Sequence, residues 1–160
     1  MVGMRIALLG GTLLAAAMFA QTPAGIADPA HTHETKHLQV VTSTTTTSGG
    51  HISLVAVVRP KPRMHVYAPG QAGLIGVTLT VDPSPAVNAT APKYPRPEKR
   101  VVAGETELVY SEPFQIAEDV TLTERARAAT VVKGTLRYQA CDDVICYLPT
   151  TVPLEWKIDR

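Results

Sequence analysis

From Leu38 onward the chain is a succession of short runs in which apolar residues recur at every second position, cut by proline or glycine. This pattern restricts the fold more than any other feature of the sequence. A period of two places one set of side chains on one face of an extended strand, where a helix would need a period of 3.6. Ile52, Leu54, Ala56 and Val58 alternate with Ser53, Val55 and Val57, and Ile75, Val77, Leu79 and Val81 alternate with Gly76, Thr78 and Thr80. Short strands are expected at Leu108 to Tyr110 and Phe114 to Ile116, on either side of Pro113, and around Val120 and Leu122. Thr130 to Ala140 and Thr151 to Ile158 are the last two, the latter carrying Trp156 as a core residue. Glu124 to Ala129 is the best helical candidate, at one or two turns. Roughly seven or eight strands in about 120 residues predict an all-β fold, a two-sheet antiparallel sandwich.

Between these strands lies Asp82 to Glu105, which holds Pro83, Pro85, Pro92, Pro95 and Pro97. Proline donates no amide hydrogen bond, so this stretch cannot supply a central strand and is expected to be a long loop. A loop of that length in a compact domain either carries function or is a stiff surface connection.

The N-terminus has a different character. Arg5 precedes an uncharged apolar run, Ile6 to Ala20, and Gly25-Ile26-Ala27 fits a small-x-small cleavage site. Residues 1–27 therefore resemble a secretory signal peptide. The run falls short of the roughly 20 apolar residues of a comfortable membrane span, although an uncleaved anchor is the alternative. Residues 28–37, polar and containing His31, His33 and His37, are expected to be a flexible arm, and 38–160 the folded domain. Export would place the domain in a compartment where disulfides persist. The 160 residues carry 15 Lys and Arg against 14 Asp and Glu, a net charge of +1, which offers no basic stripe for nucleic acid.

The two cysteines, Cys141 and Cys146, sit in Tyr138-Gln-Ala-Cys-Asp-Asp-Val-Ile-Cys-Tyr147. Five extended residues span roughly 17 Å, whereas a disulfide needs Cα atoms within about 7 Å. A bonded pair therefore requires the chain to double back, and Asp142-Asp143 suits such a turn. Strand phase puts Val132, Leu136, Tyr138 and Ala140 on one face. Lys133, Thr135, Arg137, Gln139 and Cys141 fall on the other, so an unbroken strand would expose Cys141. Closing so small a loop contributes about 2 kcal/mol in the chain-entropy model, against about 4.7 for a loop of a hundred residues.

Three readings of the pair follow. Two cysteines in an exported chain ordinarily form a structural disulfide, here on a sandwich that would bind partners through Asp82 to Glu105. An exposed local pair is also the kind that exchanges. Copper or zinc handling is the third, with His31, His33, His37, Met64 and His65 as ligands. An exchanging pair would differ from a thioredoxin site: there is no C-x-x-C, and Asp142 and Asp143 would raise a neighbouring thiol's pKa. It would suit a passive relay attacked by a partner's thiolate.

Tyr138 to Pro149, with its Tyr-Gln-Ala-Cys-Asp-Asp-x-x-Cys-Tyr-x-Pro pattern, resembles the signature of the N-terminal periplasmic domain of the DsbD thiol:disulfide interchange family. Met64 to Gly70, Tyr94-Pro95 through Glu107 to Ser111, and Val152 to Trp156 resemble further segments of that domain. The resemblance implies an immunoglobulin-like β-sandwich, without cofactor and monomeric. It would relay reducing equivalents from a membrane-embedded thiol donor to thioredoxin-like periplasmic proteins. It also implies that Cys141 and Cys146 are the redox pair, with Cys146 forming mixed disulfides and Cys141 resolving them. A cap loop shields the pair in that family. Here it would map to part of Pro95 to Gly104, with His65, Tyr67, Glu98, Tyr138 and Tyr147 as cap or supporting residues. The C-x4-C spacing is one residue shorter than in the family's best-known member. Leu148 replaces a proline, and Val101 and Val102 stand where an aromatic cap contact is expected. The chain is expected to act as a stand-alone domain with separate partners.

Overall fold

The computed structural model describes residues 31–46, 51–102, 104–126 and 129–159, and residues 1–27, expected from sequence to be a signal peptide, lie outside them. Every regular element among the described residues is a strand. A five-stranded antiparallel sheet has the order β1-β2-β3-β9-β6: His31–Glu34, Leu38–Thr46, Ile52–Pro60, Phe114–Leu122 and Val87–Ala89. Facing it are a three-stranded group, β12-β10-β5 (Thr150–Asp159, Ala129–Tyr138, Thr78–Val81), and a four-stranded group, β11-β4-β8-β7. The strands of the latter are Ala140–Cys141, His65–Tyr67, Glu105–Tyr110 and Glu98–Val102. The chain is an antiparallel β-sandwich, as the alternating pattern predicts, and it is immunoglobulin-like, as the family resemblance implies.

On β3, β5 and β10 the inward positions follow the predicted alternation, and on β12 Trp156 is the expected core residue. Leu54, Ala56 and Val58 of β3, Leu79 of β5, Val132 and Leu136 of β10, and Leu154, Trp156 and Ile158 of β12 join one buried cluster. Trp156 is 1 % exposed, and its indole Nε1 donates to the Val55 carbonyl across the sandwich at 2.9 Å. That bond satisfies the indole's only polar atom, so the largest side chain of the core costs little desolvation. Gly134 makes room for the ring: a Cβ there would lie 3.1 Å from Trp156 Cζ3 and would meet the Thr80 carbonyl oxygen.

Three expectations change. His31–Glu34, expected within a flexible arm, pairs with Glu34↔Gln39 through His31↔Thr42 as an edge strand. Thr35 makes the turn, its Oγ1 accepting the amide of Leu38 at 3.0 Å and bonding the Leu38 carbonyl at 2.8 Å. Glu124 and Arg125 form a turn in place of a helix. The proline-rich stretch Asp82 to Glu105 contains two strands, β6 and β7, each at the edge of its sheet. An edge strand needs only one row of amide bonds, which is how a proline-rich segment can still pair. The stretch is held down along its length. Lys93 bridges Ala117, the Leu79 amide donates to the Tyr94 hydroxyl at 2.9 Å, and the Tyr110 hydroxyl donates to the Pro95 carbonyl at 2.8 Å. It thereby delivers β7 to a fixed place beside the cysteines.

Candidate functional site

The local fold around the cysteines begins where β10 ends. Gln139 leaves the ladder, and Ala140–Cys141 crosses to the other sheet group to pair with β4, Ala140 opposite Val66 and Cys141 opposite His65. Side chains still alternate there. Ala140, Val66 and Tyr110 face the main core, while Cys141, Tyr67 and Val109 form a second buried cluster with Leu74 packed on it. Strand phase therefore assigned Cys141 to the correct face, but that face is covered, and Cys141 is 1 % exposed. Its exposure is the expectation that the structure overturns. The cause is a layer formed by residues distant in sequence.

The chain then doubles back as the spacing requires. Cys141 and Cys146 are disulfide-bonded, with Cα atoms 4.0 Å apart, and they face each other as an antiparallel bridge. The Asp142 amide donates to the Ile145 carbonyl at 3.0 Å, and the Tyr147 amide to the Ala140 carbonyl at 2.8 Å. Asp142 organises the turn with its side chain: Oδ1 accepts the amides of Val144 at 2.7 Å and Ile145 at 2.8 Å. Oδ2 accepts the Tyr147 hydroxyl at 2.8 Å. Those two amides and then the hydroxyl hold the Asp142 carboxyl at a pKa of about 2, because each donor favours the ionised form. Outside the turn, Gln139 Nε2 donates to the Tyr147 carbonyl at 3.1 Å, and the Tyr147 ring stacks on His37 with centroids 4.3 Å apart.

The two sulfurs stand in different surroundings. Cys141 is buried, whereas Cys146 is exposed at the rim of a cavity of about 180 Å³. The cavity is lined from β4 by His65 and Tyr67, from β7 by Arg100 and Val102, from β8 by Glu107, and by the cysteine turn. The Tyr67 hydroxyl lies 3.7 Å from Cys146 Sγ and 3.5 Å from Glu107 Oε1. Burial, and then Glu107, raise the Tyr67 pKa, so the phenol stays protonated. Arg100 spans the cavity wall, with a nitrogen 3.1 Å from His65 Nδ1 and another 2.8 Å from Asp143 Oδ1. Burial, and then Arg100, lower the His65 pKa. Val144, Ile145 and Leu148 are exposed apolar side chains on the same turn, at 82 %, 53 % and 87 %.

Of the residues singled out from sequence, His65, Tyr67, Cys141 and Cys146 meet at the cavity, and Tyr147 braces the turn. Glu98 lies on β7 but turns to the Ser111 amide, which donates to its Oε1 at 3.1 Å. Tyr138 is in the main core, its hydroxyl 2.9 Å from Thr35 Oγ1. The segment expected as a cap contributes one wall through Arg100 and Val102, and it leaves Cys146 exposed. Arg100 and Glu107 were not anticipated as site residues, and nothing in their local sequence sets them apart. Among the described residues, no group of three or more His, Cys, Asp and Glu side chains is placed to hold a metal ion. His31 and His33 lie on β1, while His65 faces Arg100.

Comparison with solved structures finds the same fold in the N-terminal periplasmic domain of ScsB from Proteus mirabilis. The identity is 18 % and the TM-score 0.56, over 82 % of this chain and 51 % of that one. This chain thus spans about half the length of that solved domain. The reduced N-terminal domain of DsbD from Neisseria meningitidis also matches, with 18 % identity and a TM-score of 0.47, over 68 % of this chain and 78 % of that one. No curated protein matches the chain. Residues 35–155, which include both cysteines and every wall of the cavity, match the family described as thiol:disulfide interchange protein DsbD, N-terminal, and the chain belongs to that family.

Proposed function

We propose that this domain is a thiol–disulfide relay, passing reducing equivalents from a membrane-embedded thiol donor to thioredoxin-like proteins in the periplasm. Cys146 is the sulfur that partners reach, and Cys141 is the one that resolves. The observation that carries this reading is the asymmetry of the disulfide, with Cys146 exposed at the cavity rim and Cys141 1 % exposed beneath it. An attacking thiolate needs a clear path to one sulfur, in line with the bond it breaks.

In the loading direction, a donor thiolate attacks Cys146 Sγ. The Cys141–Cys146 bond breaks, and its electron pair leaves on Cys141 Sγ, which takes up a proton. The donor's second thiolate then attacks the donor sulfur of the mixed disulfide and releases Cys146. The donor ends as a disulfide, and the pair has gained two electrons and two protons. Delivery reverses these steps: the Cys146 thiolate attacks an acceptor disulfide, and Cys141 displaces the reduced acceptor. Val144, Ile145 and Leu148 surround the exposed sulfur with apolar surface that a partner would cover. Residues 1–27 would be the leader that exports the domain.

The test is trapping in cells. Cys141→Ser should accumulate a mixed disulfide with a thioredoxin-like periplasmic protein, whereas Cys146→Ser, with an unchanged circular dichroism spectrum, should accumulate none. Equal trapping by the wild type and both variants would sink the relay.

A further inference from the structure

Among the described residues, Arg100 is the only lysine or arginine that lines the cysteine cavity, and it shares the walls with three carboxylates, Glu107, Asp142 and Asp143. The remaining titratable groups facing the pair are His65 and Tyr67 from β4, and Arg63 acts on Asp142 from outside the cavity. With Arg100 removed, the surroundings of the sulfurs would be strongly anionic. Nearby carboxylates disfavour a thiolate, and burial disfavours it further. Delivery to an acceptor requires a thiolate on Cys146, so some group must oppose them.

Arg100 occupies the position from which this can be done. Its guanidinium reaches across 43 residues of sequence to Asp143 Oδ1 at 2.8 Å, and back to His65 Nδ1 at 3.1 Å. A guanidinium can only donate, so Nδ1 of His65 must carry a lone pair. The ring proton is then on Nε2, and the neutral imidazole adds no positive charge to the cavity. The proline-rich segment pinned by Tyr94 and Tyr110 fixes the strand that carries Arg100.

We propose that Arg100 is a positioning residue for thiol exchange, its guanidinium offsetting the carboxylates around the Cys141–Cys146 pair and so favouring the thiolate that forms on Cys146 after reduction. This rests on the relay reading for its purpose, but its test needs no partner protein. The reduced full-length domain is alkylated with iodoacetamide across a pH series, and the Cys146 peptide is followed by mass spectrometry. Arg100→Gln should move the inflection to higher pH and slow alkylation at neutral pH by roughly threefold to tenfold. Arg100→Lys, which keeps the charge without the fork, should fall between Arg100→Gln and the wild type. Asp143→Asn should move the inflection to lower pH, because it removes a carboxylate and leaves Arg100 unpaired. If Arg100 were only a strap between β7 and the turn, Arg100→Gln and Asp143→Asn would shift the profile in the same direction. Any order of inflections other than Asp143→Asn, wild type, Arg100→Lys, Arg100→Gln overturns the proposal. Asp143 is exposed on the turn, so its variant reports the sign of the effect independently of how β7 folds. Failure of mixed-disulfide trapping alongside this order would reject the relay and leave the role of Arg100 standing.

Discussion

The residue after each cysteine is bonded to the other: the Tyr147 hydroxyl donates to Asp142 Oδ2 at 2.8 Å. With the two turn amides on Oδ1, this makes Asp142 a three-pronged acceptor that closes the hairpin independently of the disulfide. A turn preformed in this way would hold the two sulfurs near each other when the bond is open. That proximity raises the effective concentration of the resolving thiol.

The Asp142 contacts have a defined pH window. The folded-state pKa is lowered from 3.8 to about 2, so protonation is harder in the folded turn than in the unfolded chain. A depressed carboxylate pKa contributes stability that is complete above the unfolded value and lost as pH falls through the folded one. The amide resonances of Val144 and Ile145 should therefore be constant at neutral pH and shift together with a midpoint near 2. A midpoint near 4 would show that the carboxylate makes no such bonds in solution. Asp142→Ala should make the Cys141–Cys146 disulfide easier to reduce, read as a less negative equilibrium potential against glutathione, because the dithiol loses its preformed turn.

Two tyrosines with similar burial should behave differently. Tyr67 is 3 % exposed and places its hydroxyl 3.7 Å from Cys146 Sγ. Tyr138 is 1 % exposed and places its hydroxyl against Thr35 Oγ1. Tyr67→Phe keeps the ring packed on Val109 and removes the hydroxyl at the sulfur, so it should slow reduction of the pair by a small thiol several-fold. Its cost in stability should be under about 1 kcal/mol. Tyr138→Phe should cost about 1 kcal/mol in urea unfolding, because it removes the partly buried hydrogen bond to Thr35 Oγ1. Its reduction rate should match the wild type. A reduction-rate change confined to Tyr138→Phe would reverse these assignments.

The contrast between those tyrosines also indicates what the sequence could disclose. Period-two alternation located β3, β10 and β12 and their inward faces, because a single strand's phase depends on nothing beyond itself. It also placed Cys141 opposite the main core. It could not disclose that Tyr67, Val109 and Leu74 cover the second face, since those residues come from other segments. The need for a turn followed from the C-x4-C spacing, and Asp142 supplies it. Arg100 was illegible for a related reason. It meets Asp143 and His65 only after a proline-rich segment has been pinned at Tyr94 and Tyr110. Tyr138 stands in the cysteine motif but serves the core, so adjacency within a motif did not amount to adjacency at the site.

Glu118 tests the core by a separate route. It occupies an inward position of β9 between Ile116 and Val120, is 4 % exposed, and has no hydrogen-bond partner for Oε2 among the described residues. Burial raises its pKa above the usual 4.5, because a carboxylate there would lose its hydration without compensation. A carboxyl whose folded pKa is raised binds its proton more tightly in the folded state. The native protein therefore loses stability as pH rises from the unfolded pKa through the folded one. Glu118→Gln, which removes the ionisation and keeps the shape, should raise the urea midpoint at pH 7 relative to the wild type. The difference should shrink toward zero at pH 4, where the wild-type carboxyl is protonated in the folded state. A variant less stable than the wild type at pH 7 would mean that the ionised carboxylate is stabilised in place, and the buried group would then need a cationic or donor partner.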